Sequence, residues 1–519
     1  MYHSSMPKAA AVLDLSLGEP RPSEKIWRWL YDEIRDAILS GRLRRGARVP
    51  ATRELAKQYG VSRGTVVMAF EQLHSEGYLD GRTGDGTYVT GSLPEDCLTT
   101  RPIAMVGPRS ARNRPDLSRF ASRLPNAPGI SPVEPGRPFS PAPSPDEFPI
   151  ATWAQISARC IRGATRRLLA DSDSRGYRPL REAIANYLGE ARGVRCTADE
   201  VVIVSGIQHG LDLTIRVLLD PDDAVCIEDP CFPIVPAMFK ALPAKVVPIP
   251  VDDEGLDARE ARRRCRRPKL VYVTPAHQFP LGALMPVSRR LSLLEWASRI
   301  GAWIFEDDYD SEYRYAGRPV PALQGFDQRG VVIYSGSFSK VLLPSLRLGY
   351  LVVPSALVDK FAAARFLTDR HASVLDQAAL CEFVTAGHFG RHIRRTRELY
   401  GSRLMILREA MHGRLAGTID VPESHAGTHI PAWLRPGLHA DAIAAAAAAK
   451  KVEAIPIRRF VLRTPRPEGF VLGFAPFSAR QIREGVDALA MVIEESLRQE
   501  RSTTPRSEKT VLKTPGSAT

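Results

Sequence analysis

The sequence predicts an α/β protein with a mainly parallel sheet, preceded by a small helical module that ends in a hairpin. Three observations carry this. From about 150 to 497, apolar β-branched runs (VVIV, AVCIE, KLVYVT, AWIFED, VVIYSG) alternate with helical segments such as LREAIANYLGEA, the pattern of strands joined by crossover helices. Residues 23–91 hold three short helical patterns and a glycine-rich turn. Between the two regions, 92–149 is rich in proline (RPFSPAPSPDEFP) and has no apolar period, so it reads as a linker.

In the amino-terminal module, Ile26, Leu30, Ile34 and Ile38 fall four apart behind Ser23 as a cap, so one stripe faces a core; Gly41 stops the helix. TRELAKQY gives a second helix with Thr52 as N-cap, and Gly60 turns the chain. Ser62 then caps a third helix, RGTVVMAFEQLHSEG, whose Val66, Phe70 and Leu73 point inward and leave Arg63 and Thr65 at its exposed amino end. Two short helices at this spacing make a helix-turn-helix, and the amino end of the second is the part that enters a DNA major groove. YLDGRTGDGTYV follows as two strands around a tip where Gly84 and Gly86 add no bulk, a wing able to approach the minor groove. A protein-binding three-helix scaffold is the competing reading; the order of helices, capping serine, exposed arginine and wing argues against it.

Composition sets limits. At 519 residues with 44% hydrophobic and 25% charged residues, the chain is long enough for two or more domains with sizeable cores. It contains no run of 18 apolar residues, and the only apolar stretch of MYHSSMPKAAAVLDLSLGEP carries an acid, so neither a membrane span nor a secretory leader is expected and the cytoplasm is the expected location. Seven cysteines, at 97, 160, 196, 226, 231, 265 and 381, form no CxxC pair, which argues against a disulfide framework and a structural zinc site. The net charge of +13 suits a polyanionic partner, but its densest run, REARRRCRRPK (259–269), reads as a solvated helix end. Residues 498–519 are expected to be disordered.

In the longer region, Lys340 stands within GSFSKVLLPSLRLGY (336–350), on the carboxyl side of the sheet where open α/β sheets bind ligands. A partly desolvated lysine keeps a neutral amine able to form a Schiff base. EDDYDSEYR (306–314) ends an earlier strand: an aspartate there could hold a pyridine nitrogen protonated, and a tyrosine two residues on could bond a phenolic oxygen. A magnesium site of Glu306, Asp307, Asp308 and Asp310 competes and ranks lower because no histidine lies nearby. Strand VVIV, a small-residue turn and the helix start of SGIQHGLDLTIRVLL present free backbone amides, a phosphate seat that Ser337, Ser339 and Arg347 could complete. Phe232, after IEDPC, is an aromatic able to stack on a flat ring.

Residues 24–90 resemble the winged-helix domain of GntR-type bacterial regulators, and 150–497 resemble fold type I pyridoxal-phosphate enzymes, the aspartate aminotransferase superfamily. The combination resembles the MocR subfamily of bacterial regulators. The first resemblance implies DNA contacts by Arg53 in PATRELA, Arg63 in VSRGTV and Gly86 in GDGTYV, with Thr65 beside them. The second implies a large domain with a smaller carboxy-terminal α+β subdomain and pyridoxal 5'-phosphate as cofactor. By motif it implies Lys340 as the covalent anchor, Asp307 on the pyridine nitrogen, Tyr309 on the phenolic oxygen and Phe232 against the ring. Gly206, Ile207, Gln208, Ser337, Ser339 and Arg347 would hold the phosphate, and TPAHQFPLGALM would bring His277 and Gln278 near the ring. Four positions depart from the family: Asp171 replaces a tyrosine that reaches the partner's phosphate, Leu281 a threonine or serine, Phe279 an asparagine, and Phe470 aligns near the arginine for a substrate carboxylate.

The implied function is a transcriptional regulator on a double-stranded DNA operator whose aminotransferase-like domain binds pyridoxal 5'-phosphate and senses it or an amine or amino-acid effector. The implied assembly is a head-to-tail homodimer with exchanged DNA-binding heads. The alternative is an active aminotransferase with an appended head; a carboxylate-gripping guanidinium would favour it, and Phe470 is not one. A regulator with a decayed cofactor site is a third reading, against which stands the joint retention of Lys340, Asp307, Tyr309 and Arg347.

Overall fold

The computed structural model describes residues 25–82, 85–97, 116–124, 137–141, 144–166, 168–170, 172–242, 244–317 and 320–503. The chain forms two units, one up to Pro115 and one from Asp116.

The first unit contains α1 (Ile26–Leu39), β1 (Arg48–Val49), α2 (Thr52–Gln58), α3 (Arg63–Ser75), β2 (Leu79–Arg82) and β3 (Gly86–Val89), the strands ordered β1-β3-β2. Leu30, Ile34, Ile38, Leu55, Val66, Phe70 and Leu73 share one core, as the helical spacing requires. Ile26, expected in that stripe, is exposed at the start of α1, and Trp29 supplies the buried side chain instead. Lys25 is the N-cap of α1; Ser23 and Gly84 lie outside the described residues. Thr52 is the first residue of α2 rather than its cap: Ala51 takes that position, and Glu54 accepts its N–H at 3.1 Å. The expected linker begins later than its composition suggests. Leu93 is buried in the head core and Asp96 pairs with Arg45 at 2.6 Å, because the stretch after β3 carries groups complementary to the helices.

The main sheet of the second unit is built from β4 (Val201–Val204), β5 (Ala224–Asp229), β6 (Lys245–Asp252), β7 (Gly255–Leu256), β8 (Leu270–Val273), β9 (Trp303–Asp308), β10 (Val332–Ser337) and β11 (Gly349–Val352), in the order β4-β11-β10-β9-β8-β5-β6-β7. From β10 to β6 the strands are parallel, and β11 is antiparallel to both neighbours. The helices are α4 (Ile150–Arg162), α5 (Arg178–Arg192), α6 (Ile207–Leu218), α7 (Ile234–Ala241), α8 (Ala258–Arg264), α9 (Val287–Ile300), α10 (Val358–Asp369) and α11 (Val374–Thr385). The two sheet faces feed different cores, which is why the strands read as continuous apolar runs. On β5, Val225 and Ile227 join Phe239 and Phe361, whereas Cys226 joins Leu293 and Trp296.

The carboxy-terminal part has α12 (His388–Leu415), β12 (Ile419–Asp420), β13 (His429–Leu434), α13 (Ala440–Ala449), β14 (Ile455–Pro456), β15 (Gly469–Gly473) and α14 (Ala479–Thr503), with an antiparallel sheet ordered β12-β13-β15-β14. Asp229, at the end of β5, accepts the N–H groups of Leu462, Arg463 and Thr464 at 2.7, 2.9 and 2.8 Å, and the Cys231 N–H donates to the Phe460 carbonyl at 3.0 Å. The far end of the expected linker also belongs to this unit: Phe139 and Phe148 are buried in its largest core, and Glu147 pairs with Arg395 and Arg403. Residues 98–115 and 125–136 of the linker lie outside the described residues. Helix α14 runs to Thr503, past the expected boundary at 497, where Leu497 still packs on the core; 504–519 are outside the described residues. Among the described residues no helix is long and apolar enough to cross a membrane.

Candidate functional site

In the head, the Ser62 Oγ accepts the Thr65 N–H at 3.1 Å and shares a 2.8 Å hydrogen bond with the Thr65 hydroxyl. This cap fixes the start of α3, with Arg63 exposed and Thr65 half-buried. Arg53, in the first turn of α2, is exposed as well. Gly86 opens β3 at φ 124°, and a Cβ there would stand 2.8 Å from Arg48 Nε. Glycine therefore leaves room for the exposed Arg48 guanidinium to lie against the wing. Sequence reasoning missed Arg48 because a two-residue strand leaves no periodic signal.

In the second unit, a cavity of about 260 Å³ opens at the carboxyl ends of the parallel strands. Its lining includes Lys340, Asp307, Tyr309, Phe232, Gly206, Ile207, Gln208, Ser337, Ser339 and Arg347, every cofactor residue expected from the sequence except His277 and Gln278. The sheet order gathers them. Gly349 at the start of β11 pairs with Val204 on one side and Ser337 on the other, so the turn after β4 meets the end of β10. Asp307 on β9 is level with Ser335 on β10.

Asp307 is buried, and its Oδ2 accepts the Tyr272 O–H at 2.5 Å while Oδ1 has no partner. Burial pushes its carboxyl up to about 7, opposed by the Tyr272 hydrogen bond and reinforced by nearby carboxylates. Lys340 opens on the cavity and is exposed by area, yet the protein packed around it desolvates the ammonium and lowers its pKa, with Asp310 and Asp307 opposing. Arg347 adopts φ 50° and donates to the Ser205 carbonyl at 2.9 Å; a Cβ on Gly206 would lie 3.6 Å from its guanidinium. The Ser339 N–H donates to Ser337 Oγ at 3.1 Å, and Ser339 Oγ is buried without a partner. Helix α6 starts at Ile207, so the first amides of its amino end, at Ile207 and Gln208, have no intrahelical acceptor. The Phe232 ring, 37% exposed, meets Phe279 edge-on at 5.5 Å.

His277 stands behind Tyr309 instead of facing the cavity. Its Nδ1 is 3.1 Å from Asp310 Oδ2 and 3.0 Å from the Tyr309 hydroxyl. With Nδ1–H directed at these two oxygens, Tyr309 accepts, and its own O–H is left to donate elsewhere. The imidazole occupies the space of an absent side chain at Gly427 (φ 83°), where a Cβ would fall 1.9 Å from the ring. His429 lines the cavity 5.1 Å from His277, and burial first, then His277 and Lys340, hold its pKa well below the usual range.

The expectation that no histidine lies near the acidic segment is thus overturned: His277, Asp310 and His429 converge from three separate loops and strands. The four carboxylates themselves diverge. Glu306 accepts the Leu323 and Gln324 N–H groups, and Asp308 binds Arg192 at 2.9 Å and Tyr334 at 2.6 Å. Sequence reasoning also missed Tyr272, Thr428 and His429. Tyr272 had a signal, the one hydroxyl inside the buried run LVYV. Thr428 and His429 arrive from the smaller subdomain and had none. Phe470 is fully buried on β15 and is not part of the cavity lining; Asp171 lies outside the described residues.

Residues 144–489 match the family model for aminotransferase class I and II, and 28–89 match that for bacterial regulatory proteins of the gntR family. The chain is 38% identical to the probable rhizopine catabolism regulatory protein MocR of Rhizobium meliloti, over 89% of this chain and 92% of that one. It is similar to the solved structure of Pyrococcus horikoshii kynurenine aminotransferase, with 29% identity, a TM-score of 0.65, and coverage of 70% of this chain and 93% of that one. It is also similar to LysN, the α-aminoadipate aminotransferase of Thermus thermophilus solved with N-(5'-phosphopyridoxyl)-L-leucine, with 26% identity, a TM-score of 0.67, and coverage of 74% and 98%.

Proposed function

This chain belongs to the MocR subfamily of gntR-type regulators, in which a DNA-binding head precedes an aminotransferase class I and II domain, and on that premise we propose that it is a transcriptional regulator whose large unit holds pyridoxal 5'-phosphate. The observation that carries the reading is a desolvated lysine and a buried carboxylate oxygen without a partner, facing one cavity. When bound, the cofactor supplies an aldehyde that amines attack and a ring that withdraws electrons.

The residues fit such a group. Asp307 Oδ1 would accept a ring N–H, which removes the penalty of about 1–3 kcal/mol for a buried acceptor left unsatisfied. The Tyr309 O–H, left free by the His277 and Asp310 pair, would donate to the phenolic oxygen. Lys340 would supply the neutral amine that anchors the aldehyde, and the Phe232 face would cover the ring. The amides of Gly206, Ile207 and Gln208, with Ser337, Ser339 and Arg347, would bind the phosphate at a helix amino terminus.

In the head, Arg53 and Arg63 with Thr65 and Gly86 would meet double-stranded DNA, arginine reading guanine in the major groove or holding a phosphate. The proposal extends to a head-to-tail homodimer with exchanged heads, since paired half-sites suit a dimer, and to an effector that is the cofactor itself or an amine reacting with it. Such a ligand changes operator affinity only as far as it prefers one arrangement of the protein. The test is to add pyridoxal 5'-phosphate, reduce with borohydride and map the labelled peptide, alongside DNA-binding titrations with and without the cofactor. Label on Lys340 supports the reading; label spread over surface lysines, or none, overturns the cofactor half of it.

A further inference from the structure

Behind the proposed phosphate seat stand two side chains that are not part of the cavity lining, Arg365 and His209. Arg365 of α10 is completely buried and pairs with the exposed Asp369 one turn on. Its Nε donates to the carbonyl of Ile203 in β4 at 3.2 Å, and a terminal nitrogen lies 3.5 Å from His209 Nδ1. His209, in the first turn of α6, uses the same Nδ1 to accept the Ser205 N–H at 3.2 Å, while its Nε2 is buried without a partner. The ring's hydrogen bonding is therefore committed to the turn between β4 and α6. Ser205 is gripped from both sides, because its carbonyl accepts from Arg347 at 2.9 Å. Gly206 comes next, at φ 90°, followed by Ile207 and Gln208, whose amides have no intrahelical acceptor.

A glycine leaves the backbone free to turn many ways, so sterics alone do not set the direction of these amides. The plane of the Ser205 peptide sets it, and that plane is held by an acceptor on one side and a donor on the other. His209 accepts only while Nδ1 carries no proton. Burial first, then the charge of Arg365, bring the imidazole down to about 4, so the acceptor is present at neutral pH. We propose that His209 and Arg365 are positioning residues that set this site's preference for a phosphorylated ligand, by holding the 205–208 turn with its amides presented to the cavity. The assignment rests on the cofactor reading above and adds to it two residues that touch no ligand. A pair that merely tied α10 to the sheet would support phosphorylated and unphosphorylated ligands alike.

The test compares two probes on the full-length protein, pyridoxal 5'-phosphate and pyridoxal, by absorbance titration, with borohydride mapping to locate the attached aldehyde. In His209→Leu, binding of the phosphate ester should weaken roughly tenfold or more while binding of pyridoxal changes by less than about twofold, since only the phosphate's hydrogen bonds are lost. His209→Asn, whose Oδ1 can accept the Ser205 N–H in place of Nδ1, should recover most of the difference. Arg365→Met should move the ratio of the two dissociation constants in the same direction. Equal losses for both probes in His209→Leu, or a ratio that stays at the wild-type value, overturn the assignment and leave the cofactor reading standing. Wild-type protein that carries no label on Lys340 with either probe overturns that reading, and the assignment with it.

Discussion

The two units differ in where they keep their working groups relative to their own cores. In the head, Arg53 and Arg63 are exposed on helices whose other faces build the core. In the large unit, Asp307 is buried and Lys340 desolvated, and the sheet that carries them also carries the core. Function and stability should therefore be separable in the head and entangled in the large unit.

The largest expected effect is that of Lys340→Ala. Borohydride-stable cofactor label should disappear completely, while DNA affinity without cofactor stays within about twofold, because the head's contacts are its own. Loss of DNA binding in that variant would break the separation. Next is Arg192→Met. Arg192 and Asp308 are both buried and bonded at 2.9 Å, so removing one charge should destabilise the large unit by about 3–5 kcal/mol in urea unfolding. The head transition should not move.

Arg63→Ala comes third. It should weaken operator binding by about 1–3 kcal/mol, a factor of roughly 5 to 150, with an unchanged melting temperature, since the side chain is exposed. A lowered melting temperature would mean that Arg63 works in the fold.

The smallest effect is a pH slope. Burial raises Glu228, Glu306, Asp307 and Glu312 to about 7. A carboxyl whose folded pKa lies above its unfolded one stabilises the fold while protonated, and that stability is lost as pH rises through about 7. Between about pH 4.5 and 7, where the unfolded carboxyls have ionised and the folded ones have not, the cofactor-free large unit should lose stability with rising pH, by at most ~1.4 kcal/mol per pH unit for each such group, and the slope should level off above about 7. The head should respond only at the acid end. There the lowered values of Glu76, due chiefly to the Tyr31 hydrogen bond, and of Asp96, due chiefly to Arg45, mean stability lost as pH falls below the ordinary carboxylate range. Asp307→Asn should flatten the large unit's slope, as should saturating cofactor. Calorimetry across this range measures both.

The same contrast explains what was legible in the sequence. Arg63 could be placed because a local cap and a local turn expose it. Lys340, Asp307 and Phe232 could be named as candidates from their own strand ends, but their meeting depends on the sheet order β10-β9-β8-β5, and the arrival of the Gly206 turn beside them depends on β11 inserting between β4 and β10, pairings no local pattern announces. Tyr272, on β8, showed only as the one hydroxyl in a buried run, whereas His429, and the Gly427 that gives His277 its place behind Tyr309, come from the smaller subdomain. The error at Thr52 was local: a threonine followed by glutamate two residues on suits the first turn as well as the cap position.

The tie at Asp229 has a mechanical meaning. Its carboxylate clamps three amides of the 462–464 loop, the amide two residues on is bonded to Phe460, and Phe232 comes immediately after. Wall and loop are one degree of freedom: a guest that pushes the Phe232 ring aside must also drag the edge of the smaller subdomain with it.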